Sequence, residues 1–106
     1  MNTRKIEVVE YCSSWAENFK QEQQLLVNTL GGIAIKVDHI GSTSVVGLAA
    51  KPVIDILLEV SSLQLLDSKT EEMEQLGYIA KGENGIAGRR YFKKGGNQRS
   101  HHLHAF

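Results

Sequence analysis

The chain has 106 residues, 42% of them apolar and 23% charged, proportions that suit one soluble globular domain able to bury roughly two-thirds of its unfolded surface. Twelve basic side chains balance twelve acidic ones, so net charge offers no argument for nucleic acid or a membrane surface, and neither partner is expected. No apolar run approaches the ~20 residues of a membrane-crossing helix, the first residues lack the apolar core of a secretory leader, and the lone cysteine excludes an internal disulfide. A cytoplasmic protein is expected, with Cys12 as a small apolar filler.

Alternation in "KIEVVEY" predicts a short first strand or an extended arm. Ser13 or Ser14 then caps a helix, with Glu17 in capping-box position after Ser14. Trp15, Phe19, Leu25, Leu26 and Leu30 recur at helical spacing as far as Gly31 and Gly32, a natural stop. "IAIKVDHI" places Ile33, Ile35 and Val37 on one face of a strand that Gly41 breaks. "STSVVGLAA" reads as a turn plus one or two helical turns. "VIDILLEV" is mostly apolar and reads as a central strand covered on both faces. "SSLQLLDSKTEEMEQLG" is helical, capped near Ser61 or Ser62, closed by Gly77, with a break marked by Ser68. "YIAKG", "RRYFKKG" and "RSHHLHAF" read as three further strands. The order β-α-β-α-β-α-β-β-β defines an α/β (α+β) domain, a mixed sheet flanked by helices.

Asp55 carries the main chemical signal. An ionised carboxylate within an apolar strand is costly unless it is paired, hydrogen-bonded or bound to a cation. Partners close in sequence are the "GSTS" turn and Lys51. Gly41, Ser42 and Thr43 sit between a strand and a short helix, where exposed amides and hydroxyls favour an anion such as phosphate. Helix capping by Ser42 explains the same residues. No Gly-Lys-Ser/Thr follows at P-loop spacing. On the last strand His102 and His104 point to one face and His101 to the other, so the pair offers two imidazoles to one metal. Arg90, Phe92 and Lys94 share one face of the preceding strand, and Arg89, Tyr91 and Lys93 the other. One of these faces can present a guanidinium to phosphate, and Arg90 is the candidate.

"HIGSTSVVGLAAKPVIDILLEV", with "LGY" at Leu76 to Tyr78, "RRYF" at Arg89 to Phe92 and "HHLH" at His101 to His104, resembles the GrpB family, small cytoplasmic proteins of the nucleotidyltransferase-like superfamily. The similarity runs over nearly the whole chain. The resemblance implies a pocket between the Gly41 turn and the sheet that takes a nucleotide or another phosphorylated small molecule. Gly41, Ser42, Thr43, Lys51 and Arg90 are then the phosphate-binding candidates. Asp55 is the catalytic candidate, and Asp55, His102 and His104 are the ligands of a divalent Mg²⁺, Mn²⁺ or Zn²⁺. In the superfamily two acidic residues spaced i, i+2 hold the metal; here Asp55 matches the second, and the first falls on Val53, which cannot bind one. The expectation is therefore nucleotide binding with metal-dependent nucleotidyl transfer, or an inactive binding or regulatory module with a structural Asp55. The resemblance also implies a further helical segment beyond the histidine strand. With the chain ending at Phe106, an exposed apolar face and self-association, as a homodimer, are expected.

Overall fold

Every third or fourth residue from Trp15 to Leu30 turns inward on one stripe of helix α1 (Ser14–Leu30). The computed structural model describes residues 7–95 and 100–106. After α1 come strand β1 (Ala34–Ile40), strand β2 (Ile54–Val60), the short helices α2 (Leu63–Asp67) and α3 (Thr70–Gln75), and strands β3 (Tyr78–Ala80), β4 (Arg90–Lys94) and β5 (His101–Ala105). The five strands form one sheet in the order β1-β2-β5-β4-β3. β2 and β5 run parallel and the other pairs antiparallel, so the sheet is mixed, as the sequence predicts.

Several local expectations are corrected. Of the two readings of the segment before α1, the extended arm holds: among the described residues its pairing is the one exchange of backbone hydrogen bonds between Val9 and Ala50, each 2.9 Å. Lys5 and Ile6 of that segment lie outside the described residues, as does Arg99. The capping box at the start of α1 does not form. Ser13 has helical rather than extended dihedrals and makes no side-chain cap bond, while the Ser14 hydroxyl meets the Cys12 thiol at 2.9 Å. Cys12 is exposed, so it is no apolar filler. The helical turn expected after Gly41 takes the form of one three-residue 3-10 helix, Ser42–Ser44.

The helical stretch predicted over residues 61–76 is broken at Ser68, as expected, into α2 and α3. Ser62 Oγ accepts from Leu65 N–H at its start. At the break, the Ser68 and Thr70 hydroxyls donate back to the carbonyls of Leu65 and Asp67, at 2.5 and 2.7 Å. Such bonds compete with the backbone ladder and end helices.

The core lies on one side of the sheet. Val37, Ile54, Ile56, Leu58, Val60, Tyr78, Phe92, Leu103 and Ala105 face Trp15, Phe19, Leu26, Leu30, Leu66 and Met73 from the three helices. Each fully buried Leu, Ile or Met contributes roughly 1.5–3 kcal/mol. Every buried apolar helix side chain joins this one cluster. The expectation that "VIDILLEV" is covered on both faces is thus overturned. Its burial alternates: Ile54, Ile56, Leu58 and Val60 are buried, Asp55 and Leu57 half-buried, Glu59 exposed. The period-2 geometry of a strand turns both of its acids to the second, open face.

Candidate functional site on the open face of the sheet

Register across three strands assembles the site. β2 and β5 set Asp55 beside His102 and Leu57 beside His104. β5 and β4 set His104 beside Tyr91. Residues in register share a face, so Asp55, His102, His104 and Tyr91 all project from the open side. Asp55 Oδ1 lies 3.4 Å from His102 Nδ1, with the two side chains 31% and 27% exposed. The Tyr91 ring stands 5.9 Å from the His102 ring and 5.3 Å from that of His104, centroid to centroid. Arg89 completes the row: its Cζ lies 5.0 Å from the Tyr91 ring centre and its Nη1 lies 3.3 Å from His104 Nδ1. The result is a continuous polar strip, Asp55–His102–Tyr91–His104–Arg89, crossing β2, β5 and β4.

The Gly41 turn closes one end of the strip. Gly41 has φ +76°, and a Cβ there would lie 2.8 Å from Asp55 Oδ2. Only glycine permits both that conformation and that approach, so the turn and the carboxylate are built against each other. Ser42 beside it is exposed. Thr43 is not available to a ligand, contrary to expectation: it is 3% exposed, and its hydroxyl is committed to His39 Nε2 at 2.9 Å and the Val53 carbonyl at 3.3 Å. It pins the turn to the strand entry. A three-residue 3-10 turn also lacks the aligned peptide dipoles that the anion argument invoked.

Lys51 is exposed, and no ion pair joins it to another of the described residues. Arg90 is not brought to the site. Strand alternation puts it with Phe92 on the helix-covered side, where it grips Asp67 of α2 through Nε and Nη2 at 2.8 and 3.1 Å. Arg89 occupies the open face instead. The order of the two faces could have been read from Phe92, the one aromatic in the "RRYFKK" run that is fully apolar and therefore bound for the core.

The histidines divide two and two between the faces. Burial holds His104 below the ordinary histidine range, with the nearby Arg89 and His102 adding to the effect and Asp55 opposing it. His39, stacked on Phe19 at 4.9 Å on the covered side, is lowered by burial against the pull of Asp55. His101, also on the covered side, is lowered by burial against Glu22.

Glu22 is a charged residue the sequence reading missed. It is 4% exposed, accepts from the Tyr78 hydroxyl at 2.6 Å, and pairs with Lys94 Nζ at 2.9 and 3.1 Å. Burial, then the neighbouring carboxylate, raise the Tyr78 phenol far above its usual range, so it stays a donor. The signal was present: Glu22 falls between Phe19 and Leu26 at the spacing of the apolar stripe.

The predicted metal ligands are brought together only in part. Asp55 and His102 come together, Val53 replaces the second carboxylate, and His104 turns Nδ1 toward Arg89. Among the described residues no group of three or more His, Cys, Asp or Glu side chains is arranged to hold an ion. Nor is any helix among them long and apolar enough to cross a membrane.

Fold and site together define a small mixed α/β module that sets Asp55, His102, His104 and Arg89 in a row on an uncovered sheet face. The family model described as "GrpB protein" matches residues 5–106, and the chain belongs to the GrpB family. The UPF0157 protein YqkA of Bacillus subtilis is 50% identical over 103 residues, 97% of this chain and 30% of that protein. The UPF0157 protein BH1888 of Halalkalibacterium halodurans is 41% identical over 73 residues, 69% of this chain and 37% of that protein. The crystal structure of the conserved protein GrpB from Enterococcus faecalis superposes with a TM-score of 0.92 at 46% identity, over 94% of this chain and 61% of that one. The chain thus spans 30–61% of these relatives' length, under two-thirds of each.

Proposed function

We propose that the open face binds a nucleotide or another phosphorylated small molecule, with Asp55 at the centre of the site. The observation that supports this reading is the setting of Asp55. Its carboxylate is half-buried in mid-sheet, touches the Gly41 turn, and among the described residues has only His102, at 3.4 Å, within ion-pair reach. A carboxylate placed for structure alone finds donors; among the described residues none donates a hydrogen bond to this one within normal geometry. Ser42, beside Gly41, and Lys51 are both exposed and serve as the further polar contacts of this reading.

A divalent cation belongs to the same reading in a restricted sense. Mg²⁺ is commonly held by one or two carboxylates together with substrate phosphates and water. Asp55 suits a cation that arrives with the ligand better than one that stays with the protein. The reading stops at binding, because Val53 leaves transfer chemistry without its second carboxylate.

Asp55→Asn is the direct test, by calorimetric titration of ATP with Mg²⁺ or Mn²⁺ alongside thermal melting. The expected result is loss of metal-dependent ATP binding with folding largely intact. A lower melting temperature with ATP affinity unchanged would instead assign Asp55 a structural role, that of an inactive or regulatory module.

A further inference from the structure

Arg89 is 8% exposed, yet it forms no ion pair with any described carboxylate. Glu83, the nearest acid along the chain, turns Oε2 to the Gly88 N–H at 2.9 Å instead. The guanidinium is held by neutral groups. Nε donates to the Glu83 carbonyl at 3.2 Å, Nη2 to the Asn84 carbonyl at 2.9 Å, and Nη1 meets His104 Nδ1 at 3.3 Å. Its flat side is 5.0 Å from the Tyr91 ring centre. A guanidinium carries five N–H groups, so two remain. A desolvated cation without a counter-charge is an expensive arrangement unless something negative completes it.

The neighbourhood excludes the usual internal solutions. His104 presents Nδ1 as an acceptor, which requires a neutral ring, and burial together with the arginine keeps it so. The single carboxylate on the strip, Asp55, sits two strands away on β2 and opposite His102, whereas Arg89 reaches only as far as His104, and Glu59, on the same face, is exposed. Arg90, one residue on, shows the contrast: it is less buried and fully paired with Asp67.

We infer that Arg89 is the anion-binding residue of the open face, taking a phosphate oxygen of the ligand through its two remaining N–H groups, with Tyr91 as the floor beneath it. The inference rests on the binding function proposed above and assigns its polarity. The phosphate end of the ligand lies over β4, and the end that meets Asp55 lies over β2. The ligand is an elongated phosphate ester rather than a compact oxyanion, because one molecule must reach both. Guanidinium suits this role through its planar, paired donors, which a lysine ammonium does not reproduce.

Inorganic pyrophosphate, titrated without divalent metal, tests this directly. In ¹⁵N-labelled wild-type protein the side-chain Nε–Hε resonance of Arg89 is expected to shift with saturating dependence on pyrophosphate. Arg89→Lys is expected to weaken pyrophosphate binding at least tenfold, and Arg90→Lys to leave it unchanged. An unmoved Arg89 resonance, or equal affinity in Arg89→Lys and wild type, overturns the assignment. Should Arg89→Lys fail to fold, the wild-type resonance decides alone. The two proposals separate cleanly. MgATP binding lost in Asp55→Asn but kept in Arg89→Lys leaves Asp55 in place and removes Arg89. Pyrophosphate bound at Arg89 with no MgATP binding does the reverse.

Discussion

The two faces of the sheet treat their central charges differently. On the covered face Glu22 meets Lys94 and Tyr78 directly, and Arg90 grips Asp67, so each charge is cancelled where it stands. On the open face Lys36 and Asp38 pair at the sheet edge, but Asp55 and Arg89 are kept apart by two histidines and a tyrosine. The same strands supply both arrangements from alternate residues. Pairing in place is what structure requires. Separation along a strip leaves both charges ready for a third party.

The largest effect that can sharpen this contrast comes from Glu22→Ala. It strands Lys94 and the Tyr78 hydroxyl beneath α1, and breaking a buried pair in this way costs about 3 kcal/mol. Urea denaturation should show a drop of that size, while whatever binds the open face does so with unchanged affinity once the protein is folded. A loss of binding with retained stability would blur the division between faces.

Acid should act next. His39, His101 and His104 are all held below their ordinary value of 6.5 by burial. The unfolded chain therefore binds more protons than the folded one as pH drops through 6.5, and stability falls with it. The contribution is fully present above that value and is lost progressively below it, as pH approaches the folded-state values. Melting temperature measured between pH 8 and 5 should decline on the acid side, and His39→Gln should flatten part of the decline.

The smallest effect belongs to Arg90→Ala. Its pair with Asp67 is open to solvent at the rim, where screening leaves such a pair little weight in stability. Denaturation should scarcely register the change, and pyrophosphate binding should not respond to it.

Much of the fold was legible because periodicity is a local property. The helical stripe of α1, the alternation of β2 and the three closing strands all follow from apolar spacing. What periodicity cannot supply is which face of a strand meets the helices. "RRYFKK" gives the partition of Arg89 from Arg90, and the absolute choice depends on where Phe92 is buried. Leu57 misled for a related reason: one extra apolar residue made an alternating strand read as covered on both faces, although Asp55 and Glu59 already marked the open one. Glu22 stayed hidden among glutamines, since a buried acid declares itself only through partners far away in sequence, here Tyr78 and Lys94. Of the site, Asp55, Gly41 and the His102–His104 face were readable. The inward turn of Thr43 was not, because a hydroxyl's direction depends on the carbonyl of Val53, ten residues on, that it meets.

The chain's four histidines, two on each face, provide the most direct test of the central claim. Their imidazole ¹⁵N resonances can be followed in the wild-type protein as ATP and Mg²⁺ are added. The account predicts saturable shifts at His102 and His104, with His39 and His101 nearly unmoved. Shifts confined to His39 and His101, or none at all up to millimolar ATP, would contradict it.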